Sequence, residues 1–369
     1  MISDNLNNIK VAFSHDWLTG MRGGERVLET LCSVFPDAPV YTLFYNKKAI
    51  SPIINRHTIK TSFLQYLPGI FSYYRNLLPL FPFAIRTFQL PPADVIISLS
   101  HCVAKAFPSN NKPHLCYCFT PMRYAWLFYD EYFGGNPLKS ILAKPLISMI
   151  RKWDFTTAQQ VTKFVAISKT VASRISKFYG IKADVVYPPV DTDFYTPSHN
   201  YSSGNFDLIV SALVPYKRID LAVKAYAEYG YPLKIIGSGT EYKKLIKMAS
   251  SNIEILGWRS DEEIRELYRN CRLLVFPGEE DFGIVPLEAQ SCGKPVVAYA
   301  KGGLLETVIE GETGIFFKEQ TPSSLIEAVK ICSTKKFVPA IIRSHAEKFS
   351  KTRFIKEFCD SLIRCMKLK

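Results

Sequence analysis

The stretch Phe276-Pro277-Gly278-Glu279-Glu280-Asp281-Phe282-Gly283-Ile284-Val285-Pro286-Leu287-Glu288 decides how the rest of the chain is read. The apolar run Leu273–Phe276 has the length and composition of a buried strand, and Pro277 and Gly278 end it. Glu280 then falls in a loop, and Phe282-Gly283 leads into a helix that carries Glu288. The Glu-x7-Glu spacing puts one carboxylate on the loop and the other in the helix, with the free N–H groups of the helix start between them. Such a helix start attracts a phosphate, and carboxylates accept hydrogen bonds from hydroxyls. Two carboxylates around an anion site suit a ligand with hydroxyls on both sides of a phosphate, as in a nucleotide-sugar.

Immediately downstream stand Ala289-Gln290-Ser291-Cys292-Gly293-Lys294-Pro295-Val296-Val297 and Gly302-Gly303-Leu304-Leu305-Glu306-Thr307. Together with the glutamate stretch, these segments resemble the signature of family 4 of the retaining glycosyltransferases. The chain's opening, Ser14-His15-Asp16-Trp17-Leu18-Thr19-Gly20 with Gly23-Gly24-Glu25, is similar to bacterial mannosyltransferases of O-antigen and exopolysaccharide assembly. The resemblance extends over nearly the whole chain. It implies an α/β protein of the GT-B fold, with two Rossmann-like, doubly wound domains facing across a cleft.

The order of apolar runs agrees with that architecture. Lys10–Ser14 reads as a strand, followed by a glycine turn and a helix whose Val27, Leu28, Leu31, Cys32 and Phe35 make one apolar stripe. Strand, glycine loop and helix open a doubly wound domain, in which Gly23 and Gly24 let backbone approach a diphosphate. Ala93–Ser100, His114–Phe119 and Lys163–Ile167 read as further strands, with a helix from Ser168 to Tyr179 and a closing strand at Asp184–Tyr187. Ser198–Asn205 is polar and suits a linker. The domains are therefore expected at 1–197, binding the saccharide acceptor, and at 206–350, binding the nucleotide-sugar. A last helix, within 351–369, is expected to return to the first domain, as the resemblance implies.

The second domain repeats the alternation. Strands are expected at Phe206–Ser211, Leu233–Ile236, Ile253–Leu256, Pro295–Ala298 and Gly314–Phe317, with a helix over Ile219–Glu228. Ser260 and Glu263 form a capping box, and Thr321-Pro322 opens another helix. Gly237-Ser238-Gly239 lacks the third glycine of a dinucleotide fingerprint, because Tyr242 stands there. This disfavours an NAD oxidoreductase. Asp191-Thr192-Asp193 has the look of a metal-binding Asp-x-Asp, but two acids in a proline-rich linker read as turn formers. Neither a metal site nor a cofactor is expected, the nucleotide-sugar being a substrate.

The 369 residues carry 46 Lys and Arg against 33 Asp and Glu, a formal net charge of +13. The excess is concentrated: Lys47, Lys48, Arg56, Lys60, Arg75 and Arg86 alternate with Phe63, Tyr66, Phe71, Tyr73, Tyr74 and Phe81. That pattern suits an anionic bilayer surface, a nucleic acid, or a solvated basic face over a core-facing aromatic stripe. No nucleic-acid motif accompanies it, and the lipid-linked acceptor that the resemblance implies favours the membrane. Met1–Asn8 is polar, so no signal peptide is expected, and no window has the ~18 apolar residues of a membrane span. The expected location is cytoplasmic, peripheral to the inner face of the plasma membrane. Nine cysteines without metal spacing read as reduced core thiols.

Val214-Pro215-Tyr216-Lys217-Arg218 follows the first strand of the second domain, where an open α/β sheet binds its ligand. By resemblance, Lys217 stabilises charge on the leaving diphosphate, Glu280 contacts the transferred sugar, and Glu288 takes the ribose hydroxyls. Backbone at Phe282, Gly283 and Ile284 holds sugar and phosphate, and base contacts fall near Gly257-Trp258-Arg259. The family's usual arginine is replaced by Ala212, with Arg218 as a substitute, and its usual histidine is replaced by Phe119. His101 is a further candidate for the same ligand. The expected reaction is metal-independent transfer of a hexose, mannose from GDP-mannose, to a lipid-linked saccharide with retention. The alternatives are a nucleotide-sugar-binding protein without catalysis and a nucleotide-sugar epimerase.

Overall fold

The computed structural model describes residues 9–90, 92–127, 137–198 and 204–368. They divide into two compact units, residues 1–187 with 354–369, and residues 188–353. Met1–Asn8 and residues 199–203 of the expected linker lie outside the described residues.

The first unit is built on a seven-stranded sheet ordered β3-β2-β1-β4-β5-β6-β7, every pairing parallel. Its strands are β1 (Val11–His15), β2 (Val40–Thr42), β3 (Ile59–Thr61), β4 (Val95–Ser100), β5 (His114–Cys118), β6 (Lys163–Ala166) and β7 (Asp184–Val185). A parallel sheet covered on both faces calls for strands apolar throughout, and all of β1, β4 and β5 is buried. The helix α1 (Gly23–Val34) follows β1 and buries Val27, Leu28, Leu31 and Cys32. The short β2 and β3 were not foreseen. The strand order reverses between β1 and β4, and that switch point is where such sheets bind ligands.

The second unit carries a six-stranded parallel sheet ordered β10-β9-β8-β11-β12-β13. These strands are β8 (Asp207–Val210), β9 (Leu233–Ile236), β10 (Ile253–Gly257), β11 (Leu274–Phe276), β12 (Val296–Tyr299) and β13 (Gly314–Phe317). Here the switch point lies between β8 and β11. The capping box of Ser260 and Glu263 is formed at the helix Asp261–Asn270, and Thr321 caps the helix Pro322–Thr334.

The unit boundaries differ from the expected 197/206 division. Residues from Pro188 on belong to the second unit. Val190 bridges to Ser350, Tyr195 is buried with Phe206, Leu208 and Tyr268, and the Arg343 guanidinium donates to the carbonyls of Thr192, Tyr195 and Ser291. The last helix, Lys351–Lys367, joins the first unit from Phe354 onward. Phe354 and Phe358 meet the edge of Tyr117, each at 5.7 Å, and Arg364 donates to Asp184 at 3.2 Å.

The glycines of Gly237-Ser238-Gly239 have a packing explanation. A Cβ on Gly237 would stand 1.8 Å from the Ser211 carbonyl oxygen, and one on Gly239 would stand 2.2 Å from that of Leu213. All nine cysteines are buried and free, and Asp191 is ion-paired to Lys351. Among the described residues, no helix is long and apolar enough to cross a membrane.

Candidate functional site

In the second unit, Lys217 ends a single turn after β8 and Glu280 lies four residues past β11. The switch point thus brings the two side chains into a direct ion pair, with the ammonium also near the rings of Phe276 and Tyr216, at 5.4 and 5.5 Å. Lys217 is 12% exposed and Glu280 22%, so the pair is sheltered yet reachable. Three glycines make this approach possible. A Cβ on Gly278 would meet the Lys217 backbone at 2.8 Å. On Gly302 it would be 2.4 Å from the Glu280 carbonyl oxygen, and on Gly303 it would be 2.4 Å from the Phe282 Cα. The Gly303 N–H donates to the Glu280 carbonyl at 2.8 Å, which locks the glutamate loop onto the turn after β12.

Behind this loop, Gly283 at φ +106° starts the helix α2 (Ile284–Ser291), whose first N–H groups have no acceptor within the helix and no side-chain cap from Gly283. Phe282 is buried against Phe349, and Thr307 donates to the Phe282 carbonyl at 3.4 Å. Glu288 lies in α2 and accepts a hydrogen bond from the Tyr268 hydroxyl at 3.0 Å. Arg218, in the left-handed region at φ +52°, sends its guanidinium to Gln320 and Asp220. Gln320 in turn donates to the Pro277 carbonyl, so Arg218 braces the loop of Gly278.

The first unit's switch point is built differently. Asp16, just past β1, is wholly buried and accepts the backbone N–H groups of His101, Cys102, Val103 and Ala104 at 2.6–2.9 Å. The His101 ring faces the same carboxylate, Nδ1 to Oδ2, at 3.0 Å. Burial by itself would raise the Asp16 carboxyl. The charge and hydrogen bonds of His101 outweigh it and hold the group well below the usual carboxylate range. His15, the last residue of β1, is buried with neither ring nitrogen hydrogen-bonded among the described residues, and its Nε2 lies 3.7 Å from Glu25. The Phe119 ring lies between the two histidines, 6.4 Å from His15 and 6.5 Å from His101. Gly24 is pressed against Phe119: a Cβ there would stand 3.1 Å from the ring.

The chain is similar to known proteins. Residues 194–350 match the family model of glycosyl transferases group 1. An uncharacterized glycosyltransferase of Methanocaldococcus jannaschii is 32% identical over 202 residues, 53% of this chain and 56% of that protein. The D-inositol 3-phosphate glycosyltransferase of Mycolicibacterium smegmatis is 29% identical over 48% of this chain and 44% of its own length. The chain thus spans about half the length of these curated relatives. A longer alignment, 25% identical, covers 91% of this chain and 84% of the alpha-1,3/1,6-mannosyltransferase of Candida glabrata. Among solved structures, Anabaena HepE in complex with UDP-glucose superposes with a TM-score of 0.74 at 17% identity, covering 97% of this chain and 100% of that one. The fold is GT-B, an α/β architecture of two Rossmann-like domains.

Of the residues expected from the sequence, Lys217, Glu280, Phe282, Gly283, Ile284 and Glu288 fall on one connected loop-and-helix element and its neighbouring strand end. Gly23 and Gly24 start α1, and His101 joins Asp16. Sequence reasoning missed Asp16 and Gly278. The sequence marks Gly278 only as a strand terminator, and its close approach to Lys217 links positions far apart in the chain. Asp16 stands within the opening motif with nothing local to assign it a role. Its partners lie on the turn after β4, and no local pattern shows them.

Proposed function

We propose that this protein is a glycosyltransferase that moves a hexose from a nucleotide-sugar to a hydroxyl of a saccharide. The observation that carries the reading is the Lys217–Glu280 pair at the second unit's switch point, beside the N-terminus of α2. A diphosphate there would draw the Lys217 ammonium away from Glu280, leaving the carboxylate to accept hydrogen bonds from sugar hydroxyls. As the bond from the anomeric carbon to the diphosphate oxygen breaks, negative charge grows on the leaving group. Lys217 and the helix N–H groups stabilise that charge, and the reading requires no metal. The incoming hydroxyl bonds to the anomeric carbon on the face the diphosphate leaves, and its proton passes to a diphosphate oxygen, so the configuration is retained. Glu288 takes the ribose hydroxyls.

The finer assignments are mannose from GDP-mannose, a lipid-linked acceptor in cell-surface polysaccharide assembly, and an anionic membrane as docking surface. The likeness to the Candida mannosyltransferase supports mannose as the sugar. The third is supported by how the basic, aromatic region folds. Leu64, Ile70, Tyr74 and Phe81 turn into the core. Phe63, Tyr66, Leu67, Phe71, Leu80 and Phe83 stay exposed, Tyr66 at 81% and Phe83 at 65%, among exposed Lys47, Lys48, Arg56, Lys60, Arg75 and Arg86. Aromatic and aliphatic tips among cations match a bilayer headgroup layer. The expected place of work is the cytoplasmic face of the plasma membrane.

Purified protein incubated with labelled GDP-mannose or UDP-glucose and lipid-linked saccharide is expected to transfer hexose, and Glu280→Ala to abolish the transfer. Absence of transfer from either donor would end the reading. Co-sedimentation with phosphatidylglycerol vesicles, lost in Tyr66→Ser/Phe83→Ser, tests the membrane surface. Equal binding to neutral vesicles would count against it.

A further inference from the structure

We infer that His101 is a hydrogen-bond acceptor for a carbohydrate hydroxyl, through a ring nitrogen whose state Asp16 fixes. Both Asp16 oxygens are engaged as acceptors by four backbone N–H groups, so the carboxylate has no proton to offer His101. The His101 nitrogen facing it at 3.0 Å, Nδ1, must therefore carry the hydrogen. In the neutral ring, Nε2 is then bare and can accept a hydrogen bond. Which imidazole nitrogen is protonated follows from the bond the other one makes.

The ring is also held in place. Its centroid lies 4.5 Å from that of Trp17 in an edge-to-face contact, and Phe119 flanks it. Its side chain is 30% exposed, so a ligand can reach it. The neighbouring His15 is enclosed, and Phe119 has no polar atom. Among the groups of this cluster, His101 is thus the one that offers a lone pair to solvent at the switch point, where a doubly wound sheet receives its ligand. A hydroxyl is the matching partner, since it donates one hydrogen along a lone-pair direction, whereas a phosphate offers none. That the hydroxyl belongs to a carbohydrate rests on the proposed function; the tautomer does not.

Two measurements test this on the full chain. In the first, the protein is labelled with 15N-histidine and studied in mildly alkaline solution, with His101 assigned by its loss in His101→Gln. The expected spectrum shows Nδ1 protonated and Nε2 bare. The Nε2 resonance is expected to move on saturation with GDP-mannose, UDP-glucose or an alkyl mannoside, but not with GDP or UDP. Movement with the mannoside places the hydroxyl on the receiving saccharide, and movement only with a nucleotide-sugar places it on the donor. An Nε2–H tautomer, or a bare Nε2 that stays unmoved while calorimetry reports saturation, overturns the inference. Failure of all three compounds to bind defeats the glycosyltransferase reading and the carbohydrate ligand with it.

In the second, His101→Phe keeps the aromatic contacts but takes a donor from buried Asp16, so its melting temperature is expected to fall, and at a temperature where it is folded the KM of one substrate is expected to rise about tenfold, the loss of roughly one hydrogen bond. His101→Gln, whose amide oxygen can still accept, is expected to recover most of that. A phenylalanine variant indistinguishable from the parent overturns the proposal.

Discussion

At the switch point of the second sheet, one lysine and one glutamate meet across strand ends that three glycines allow to touch. At the equivalent point of the first sheet, a buried aspartate gathers four N–H groups and a histidine, and two aromatic rings close around them. The topology is the same and the materials are opposite. The second site keeps its charges sheltered but reachable, so a ligand can exchange one charge for another. The first site spends its carboxylate on holding backbone, and only the histidine beyond it faces outward. Removing a charge should therefore cost activity in the second unit and folding in the first.

The largest effect is expected from Asp16→Asn. The amide would set its NH₂ against backbone N–H donors and leave His101 unpaired. Breaking a buried charged interaction of this kind costs about 3–5 kcal/mol, read as a lower urea midpoint. A variant as stable as the parent would erase the contrast. Lys217→Ala is expected to lower kcat/KM for transfer about 10²–10³-fold, with the melting temperature nearly unchanged. Loss of stability rather than rate would make the pair a structural bridge.

Gly303→Val sharpens the comparison from the backbone side. Its side chain would collide with Phe282 and Asp281, at a cost of about 1–3 kcal/mol and with displacement of Glu280. Thermal unfolding and transfer rate should fall together.

The pH dependence separates the two units further. Burial pushes the His345 imidazole below its ordinary value of 6.5, so the folded chain binds this proton less readily than the unfolded chain. Its stabilising contribution is full above 6.5 and is lost as pH falls below it. His345 packs on Phe349 and its Nε2 is paired with the Thr307 carbonyl at 3.2 Å, behind the glutamate loop. Asp16 has a depressed folded value, so its contribution is full above 3.8 and is lost only as pH falls below that. Urea midpoints between these two values should rise with pH in the parent, and less so in His345→Gln. An unchanged slope would remove His345 from the account. The smallest effect is expected from Trp258→Ala. The indole is exposed just past β10, and its removal should change stability by no more than about 0.5 kcal/mol. Donor affinity should hold as well if the base is read through backbone there, which calorimetry would show.

The long apolar strands were legible because a parallel sheet buried on both faces needs near-continuous apolar runs. Leu233–Ile236 and Gly314–Phe317 lie where that pattern puts them. The three-residue β2 and β3 were not legible, being too short to show a period. The boundary at Tyr187 was missed because a polar segment looks like a linker whether or not the residues before it pack. Here, Tyr195 and the carbonyls held by Arg343 tie those residues to the second unit.

Local order in the chain determined the alternation of strand and helix, the helix caps at Ser260 and Thr321, and the placement of Lys217 and Glu280 past strand ends and of Glu288 in a helix, because each depends on neighbours a few positions away. Only the tertiary structure decided that Gly278 must lack a side chain, that Arg218 braces a loop, and that Asp16 governs His101. Those facts depend on distances between atoms widely separated in sequence, which become defined only once the sheet has set its strand order.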